Sequence, residues 1–364
     1  MTQPLDSVAT APVAPSHEWR AARVVTVLTR LGAPVIVLIA LVTLYVTSTQ
    51  ADHNVFVYNT FLLMCIGSLA LSLLMGTTGQ VSAGSAGFLA AGAFSAVWFD
   101  RSGMPFVVCA LGGALVAAVL GLIVALPAIR LRGLALGLGT IAAHYVIVFV
   151  VDKYQQDTPD AGPAGFSLPA VFGLTGTNTQ SKWAWLLCGV VTVVILAVSR
   201  LASGRTGRAL RLIRDQEAIA GTQAVPVTAY KMLAFGASSF LLGLQGALTA
   251  YVAGQVSSEQ FTLILAIQFL AMVLVGGLDS VFGAVLGAAI FTALPFVMQD
   301  AVSAVLGANQ ASLNGARYAV IVYALLVVVF IVAAPAGLAG LIRRAAGRAR
   351  TVAERRLRRT VSGQ

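Results

Sequence analysis

The sequence predicts an all-α membrane protein, a polytopic bundle of about ten transmembrane helices. Of its 364 residues 58% are hydrophobic and only 10% are charged, whereas soluble domains carry roughly 25% charged residues. Uncharged stretches such as 106–126 and 318–334 approach the ~20 apolar residues needed to cross about 30 Å of hydrocarbon. Because several such stretches occur, a bundle is expected rather than a single anchor.

The distribution of basic residues sets the number and direction of the spans. The predicted spans cover residues 31–47, 55–75, 84–100, 106–126, 133–151, 183–200, 232–253, 262–278, 281–300 and 317–335. This division puts 19 of the 23 lysines and arginines on one side of the membrane and four on the other. By the positive-inside rule both termini are cytoplasmic and the span number is even, with ten fitting best.

The two ends of the chain differ from its membrane-spanning centre, residues 31–338. Residues 1–30 are rich in Pro and Ala at their start and lack a cleavage signal, so we expect a disordered or amphipathic cytoplasmic N-terminus and a retained first span. The tail, residues 339–364, is rich in arginine. It is expected to lie on the anionic inner leaflet, where each cation contributes about 1 kcal/mol; a regulatory or subunit contact is the alternative.

Several classes of function lack support in the sequence. The basic segments have no interleaved aromatics for stacking on nucleic-acid bases, so no nucleic-acid partner is expected. Cys65, Cys109 and Cys188 have neither metal-site spacing nor even number, which indicates core thiols and no metal site. No phosphate loop or hydrolase motif occurs, and the three histidines are scattered. An enzyme is therefore not expected.

Two hydrophilic segments interrupt the spans. Residues 152–182 form a run rich in Pro, Gly, Asp and Thr, which predicts an external loop with turns. Residues 201–231 are cytoplasmic. Their Leu210 and Ile213, followed by Glu217, have helical spacing, so we expect one short amphipathic helix that Pro226 stops.

Glycines cluster with polar residues in two places. One cluster occupies residues 76–94 and the other residues 276–287. Close helix packing explains such glycines in many membrane proteins. An irregular or re-entrant segment lining a polar path is the other interpretation, because unpaired backbone at membrane depth is tolerated only beside protein or water. We expect the irregular form for residues 76–94.

Polar residues within spans are costly and usually face the interior of a bundle. For each of them an interhelical hydrogen bond, or a neutral core histidine, is the simpler interpretation. The candidates for a substrate path are Gln80, Ser82, Gly84, Ser85, Thr140, His144, Gly276, Gly277 and Asp279.

Five motifs in order resemble LivM-type permeases of branched-chain amino acid ABC transporters, over residues 61–338. They are GTTGQVSAGSAGFLAAGAF at 76–94, PAIRLRGLALGLGTI at 127–141, GRALRLIRDQEAIAGTQAVPVTAYKMLAF at 207–235, LVGGLDSVFGAVLGAAIF at 274–291 and AAPAGLAG at 333–340. Ser85, Ala224, Asp279 and Ala334 depart from the family pattern. These departures leave a related solute such as urea, a short amide or a carboxylate open.

The resemblance implies a division of labour. The chain would be a permease half in the bacterial inner membrane, working by alternating access with a LivH-type second permease, two ATP-binding subunits, an external substrate-binding protein and the surrounding membrane lipids. ATP and magnesium would bind those partner subunits, and this chain would hold no cofactor. The cytoplasmic helix would dock on the ATPase. The residues assigned to this coupling are Arg208, Arg211, Arg214, Asp215, Glu217, Tyr230 and Lys231.

A transporter or channel driven by an ion gradient is the competing class. It would need ionisable residues within the membrane, and Asp279 and His144 are the closest to that description.

Overall fold

Apolar helices dominate the chain in a computed structural model. It describes residues 35–48, 52–128, 133–158, 165–168, 179–223, 225–278, 280–306 and 325. The helices are α1 (Val35–Ser48), α2 (Asp52–Leu71, continued by a π-helical turn Ser72–Gly76), α3 (Ser85–Arg101), α4 (Phe106–Ala128), α5 (Leu134–Asp157), α6 (Thr179–Ser203), α7 (Arg205–Asp215), α8 (Glu217–Thr222), α9 (Val227–Ala253), α10 (Leu263–Gly276) and α11 (Val281–Leu306).

Each of the first nine predicted spans falls on one of these helices, whereas the tenth, residues 317–335, lies outside the described residues apart from Leu325. Among the described residues, six helical segments are long and apolar enough to cross a membrane, by length and composition: Asn54–Gly76, Phe106–Pro127, Ala135–Asp157, Thr179–Ser203, Val227–Ala253 and Ser258–Gly276. The helical membrane fold is thus confirmed. The number of ten spans stays a prediction, as do the N-terminal segment and the arginine-rich tail, which lie outside the described residues.

The helices divide into a buried centre and an exposed periphery. In the most apolar stretch of α2 78% of the residues are buried, whereas in the corresponding stretch of α5 28% are buried. α9 packs against α3 and α4, and α2 packs against α6, α9, α10 and α11. The peripheral helices expose large apolar side chains, such as Phe149 on α5, as expected where lipid is the solvent. The three cysteines are free and buried, which confirms the predicted core thiols.

Small residues allow the closest helix crossings. A Cβ atom at Gly92 of α3 would lie 2.2 Å from the carbonyl oxygen of Gly243 on α9, and one at Gly276 of α10 would lie 2.1 Å from the carbonyl oxygen of Gly283 on α11. These backbones touch directly, so no larger residue fits without moving a helix. Close packing therefore explains Gly92 and Gly276.

An ordered cap covers the end of the bundle predicted to be external. Strand β1 (Phe166–Ser167) pairs antiparallel with β2 (Gln255–Val256). The ring of Phe94 on α3 lies 5.9 to 6.5 Å from the rings of Tyr154, Phe166 and Phe261. Part of the predicted external loop is thus tied down by a strand pair and ring contacts; the parts at 159–164 and 169–178 lie outside the described residues.

The segment predicted to be cytoplasmic contains the short helix α7 and, after a break, a second helix α8, so the predicted helix ends earlier than its apolar spacing indicated. The chain breaks at Gln216, whose backbone has φ −151° and ψ 80°, between α7 and α8. Leu210 and Ile213 of α7 and Ala220 of α8 are buried. The apolar spacing was correct, but the break changes the direction of the chain after Asp215. α8 ends at Thr222, before Pro226.

Candidate functional site

The glycine-rich segment interrupts the path from α2 to α3. The helix continues beyond the π-helical turn Ser72–Gly76 and ends at Thr78, residues 79–84 are not helical, and α3 begins at Ser85. Gly79 has φ +69°, a conformation that glycine adopts without strain. The predicted irregularity is present at residues 79–84, which we call the break segment, whereas residues 85–94 are regular helix in α3, so the prediction was wrong for that part.

Residues of the break segment alternate between buried and exposed positions. Gln80 and Ser82 are buried, whereas Gly79 and Val81 are exposed. This alternation is typical of an extended chain. The predicted path residues in the segment therefore point into the chain itself, and its exposed edge consists of Gly79 and Val81.

The first two turns of α3 and the segment before them pack on α5 through a polar contact. The backbone N–H of Ala83 donates to Thr140 Oγ1 at 3.0 Å. A Cβ atom at Gly84 would lie 2.4 Å from the carbonyl oxygen of Thr140, and one at Gly87 would lie 3.0 Å from Cα of His144. Thr140 and His144 are one helical turn apart, so both face the start of α3. Three predicted path residues, Gly84, Thr140 and His144, meet at this interface, and a fourth, Ser85, follows Gly84 at the start of α3.

Two side-chain atoms at the interface remain available for a further hydrogen bond. Within the part of the chain that the structure describes, the buried Ser85 Oγ and His144 Nδ1 have no hydrogen-bond partner. Buried polar groups usually have one. These atoms are the chemical groups here that a polar solute or a water molecule can engage.

The second glycine cluster lies against the inner end of α2. Ser72 Oγ donates to the carbonyl oxygen of Leu278 at 3.0 Å, and Ser68 Oγ donates to that of Ala284 at 2.8 Å. Gly277 ends α10 with φ +114°. The two clusters are thus joined through α2. Asp279 lies outside the described residues, so its predicted role stays a prediction.

A small polar cavity lies where these elements meet the end of α6. Its lining includes Ser72, Thr77, Ser199, Arg211 and Ser280, and its free volume is about 40 Å³. A water molecule needs roughly 10–15 Å³ of such space. The cavity therefore has room for a few waters, and an amino acid does not fit in it in this conformation.

The basic residues of α7 contact backbone carbonyls at the inner end of the bundle. Arg214 Nη1 donates a hydrogen bond to the carbonyl oxygen of Gly76, at the end of α2. Arg211 Nη1 donates to that of Ala202 at 3.0 Å, and Arg208 Nη1 lies 3.5 Å from that of Ser203. Arg208 is exposed, so it is the least fixed of the three.

An ion pair joins α8 to the start of α9. Lys231 Nζ lies 2.7 Å from Glu217 Oε1, and the lysine side chain is 8% exposed. Asp215 pairs with its neighbour Arg214 at 3.3 Å, and Glu217 pairs with Lys231. Tyr230 is half-buried against the core.

Three features of the site were missed in the sequence. These are the contact of Arg214 with Gly76, the pair Glu217–Lys231, and the aromatic cluster around Phe94. Each joins residues that are distant in the chain, so periodicity and motif spacing carried no signal for it. Glu217 and Lys231 both stand in the recognised cytoplasmic motif, which was the available hint.

Comparisons with known proteins identify the family. The family described as branched-chain amino acid transport system permease components matches residues 53–334. The high-affinity branched-chain amino acid transport system permease proteins LivM of Salmonella typhimurium (strain LT2) and of Escherichia coli (strain K12) are each 27% identical over 258 residues. The aligned region covers 64% of this chain and 60% of each relative.

No solved structure matches the chain. The family match covers well over half of the sequence. The chain therefore belongs to the family of branched-chain amino acid transport permeases, as its resemblance to LivM-type permeases predicts, and is a membrane transport protein rather than an enzyme.

Proposed function

We propose that the chain is one permease half of an ATP-driven importer for branched-chain or related small amino acids in the bacterial inner membrane. One observation carries the proposal: a membrane helix is broken at residues 79–84, directly beside the cytoplasmic unit of α7 and α8. Broken helices expose backbone groups that bind polar solutes at membrane depth. The unit of α7 and α8 is fixed to the bundle, so it is the element on which an ATPase can act.

α8 supplies a surface for that ATPase. Its buried side faces α9 through Ala220 and the ion pair of Glu217 with Lys231. On the opposite side Ile219 is 44% exposed. An exposed large apolar residue on a cytoplasmic helix is typical of a partner contact. We assign this side of α8 to the ATP-binding subunit.

The solute contacts are assigned to the start of α3 and the facing turn of α5. Ser85 Oγ and His144 Nδ1 offer polar atoms, and Thr140 already holds the backbone of Ala83. Neither a carboxylate nor a basic side chain is placed at this interface among the described residues. A neutral zwitterion with a small apolar side chain suits such a lining better than an organic anion does.

Uptake by the reconstituted transporter tests this function. Proteoliposomes would contain this chain, its second permease, both ATP-binding subunits and the external binding protein, with radiolabelled leucine outside. We expect uptake that requires ATP inside, persists with a protonophore, and is inhibited by isoleucine and valine but not by urea or benzoate. Uptake that continues without ATP and stops with the protonophore would establish the ion-coupled class instead.

Orientation is tested separately. We propose that both termini and α7 are cytoplasmic and that the turn after α3 is external. A cysteine at Ser102, which is exposed, should react with an impermeant maleimide in intact spheroplasts. A cysteine at Arg205 should react only after lysis, and the reverse pattern would invert the topology.

A further inference from the structure

Arg214 links the unit of α7 and α8 to the break segment. Besides the bond from Nη1 to the carbonyl oxygen of Gly76, the stem of Arg214 lies over Gly79. A Cβ atom at Gly79 would be 2.8 Å from Cγ of Arg214. The arginine thus contacts both sides of the point where the helix ends.

α7 is fixed firmly enough to carry a displacement to this contact. Leu210 and Ile213 are buried, and a Cβ atom at Gly207 would lie 2.0 Å from the carbonyl oxygen of Ala202 at the end of α6. The bond from Arg211 to the same oxygen adds a second contact. Because packed backbones deform little, α7 moves as a body.

An ion pair holds α8 against α9. The ammonium of the buried Lys231 pairs with Glu217, and a buried charge whose partner is removed is costly. The break at Gln216 separates this anchor from the anchor through Arg214. The unit of α7 and α8 is therefore attached to the end of α6, to α9 and, through Arg214, to the end of α2 beside the break segment.

From this arrangement we infer that Arg214 is a positioning residue that transmits movement of the α7–α8 unit to residues 76–84. The inference rests on the proposed ATP-driven function. A displacement of α7 by the ATPase moves the guanidinium, which is bonded to the end of α2. The break segment shifts with it, because the π-helical turn and Gly79 offer backbone that changes conformation at little cost. The start of α3, which bears Ser85, follows directly.

The competing explanation is that Arg214 only caps the end of α2. Positive side chains commonly satisfy the last carbonyls of a helix. A cap would stabilise the chain, but its removal would leave ATP-dependent movement of the break segment intact. The two roles therefore differ in one measurable property.

Maleimide labelling of a cysteine at Val81 measures that movement. Val81 is 40% exposed and lies in the middle of the break segment, whereas the three native cysteines are buried. The assembled transporter would be labelled without nucleotide and with ATP plus vanadate. We expect the labelling rate to differ at least fivefold between the two states. In the Arg214→Met background, which keeps the aliphatic stem, that ratio should fall to about one.

Arg205→Met is the matched control, because Arg205 is exposed on the same helix and should keep the fivefold ratio. Arg214→Lys retains a donor and should keep part of it. Size-exclusion profiles and ATPase co-purification exclude misfolding. The inference is overturned if Arg214→Met keeps the ratio, or if the unmodified Arg214 background shows none. In either case ATP-dependent leucine uptake by V81C leaves the proposed function standing, whereas uptake independent of ATP removes that function itself.

Discussion

The two ends of the bundle are held together by different forces. At the end predicted to be external, Phe94 packs against three aromatic rings, and Phe166 belongs to a strand pair. At the inner end, Arg214 bonds to a backbone carbonyl and Lys231 pairs with a carboxylate. Ring packing is insensitive to salt and loses contact gradually, whereas charged hydrogen bonds depend on direction and on screening.

This difference suits the two tasks. In the proposed transport cycle the outer end has to open and close again around a solute. Packed aromatic rings can move past one another at little cost. An inner link has to pass on a movement of defined direction, which a hydrogen bond to one carbonyl can do. The outer end is therefore expected to dominate stability, and the inner end to dominate coupling.

Removal of the central ring at the outer end should have the largest effect on stability. Phe94→Ala leaves a cavity among buried rings and should lower the free energy of unfolding by about 3–5 kcal/mol. The measurement is a thermal midpoint from the reaction of a thiol-specific dye with the three buried cysteines. Phe149→Ala is the control, because Phe149 is 70% exposed and should shift the midpoint little. Equal shifts in both variants would contradict a ring-packed outer seal.

A substitution at the contact of Gly84 with Thr140 should have the next largest effect. Gly84→Ala forces a methyl group to within 2.4 Å of a backbone oxygen, and overpacking of this kind costs about 1–3 kcal/mol. We expect leucine uptake at least tenfold lower while the chain still inserts and assembles. Gly189→Ala, in a helix where nothing lies near the added carbon, should transport normally. Normal uptake by Gly84→Ala would remove this interface from the solute path.

The sequence allowed the helices to be predicted well and their contacts poorly. Nine predicted spans coincide with helices, and six of the described helical segments are long and apolar enough to cross a membrane, because about 20 apolar residues between charged flanks leave the chain little choice in a bilayer. The irregularity at 79–84 followed from glycines and polar residues at membrane depth. The break at Gln216 was missed because both halves keep helical spacing. The contacts of Arg214 and Lys231 depend on how α2, α7 and α9 come together in space, and a single sequence holds no measure of that.

The ion pair of the inner end should contribute less to stability than the rings do. Loss of one partner from a fully buried pair costs about 3–5 kcal/mol, but Glu217 is 34% exposed, so we expect about 1–2 kcal/mol for Lys231→Met after solvent screening. The shift of the thermal midpoint should shrink in high salt. Lys153→Met is a matched control, since Lys153 and Asp157 form a pair of 2.8 Å with both side chains 60% exposed. A shift as small as that of Lys153→Met would contradict a structural anchor at α8.

The smallest effect on the isolated chain, and the sharpest on its assembly, is expected from Ile219→Asp. The side chain is exposed on α8 and makes no part of the buried core, so the thermal midpoint should hardly move. If Ile219 is the apolar anchor of the ATPase contact, the aspartate leaves the apolar surface of the partner without its contact. It also brings a charge without a counter-charge into the interface. The amount of ATP-binding subunit retained on the immobilised permease should then fall at least tenfold. Gln223→Asp places the same charge four residues further along, at an exposed position, and should retain the subunit. Undiminished binding by Ile219→Asp would mean that α8 meets the ATPase through another face or lies on the lipid surface. In that case the movement transmitted by Arg214 would have to come from another contact.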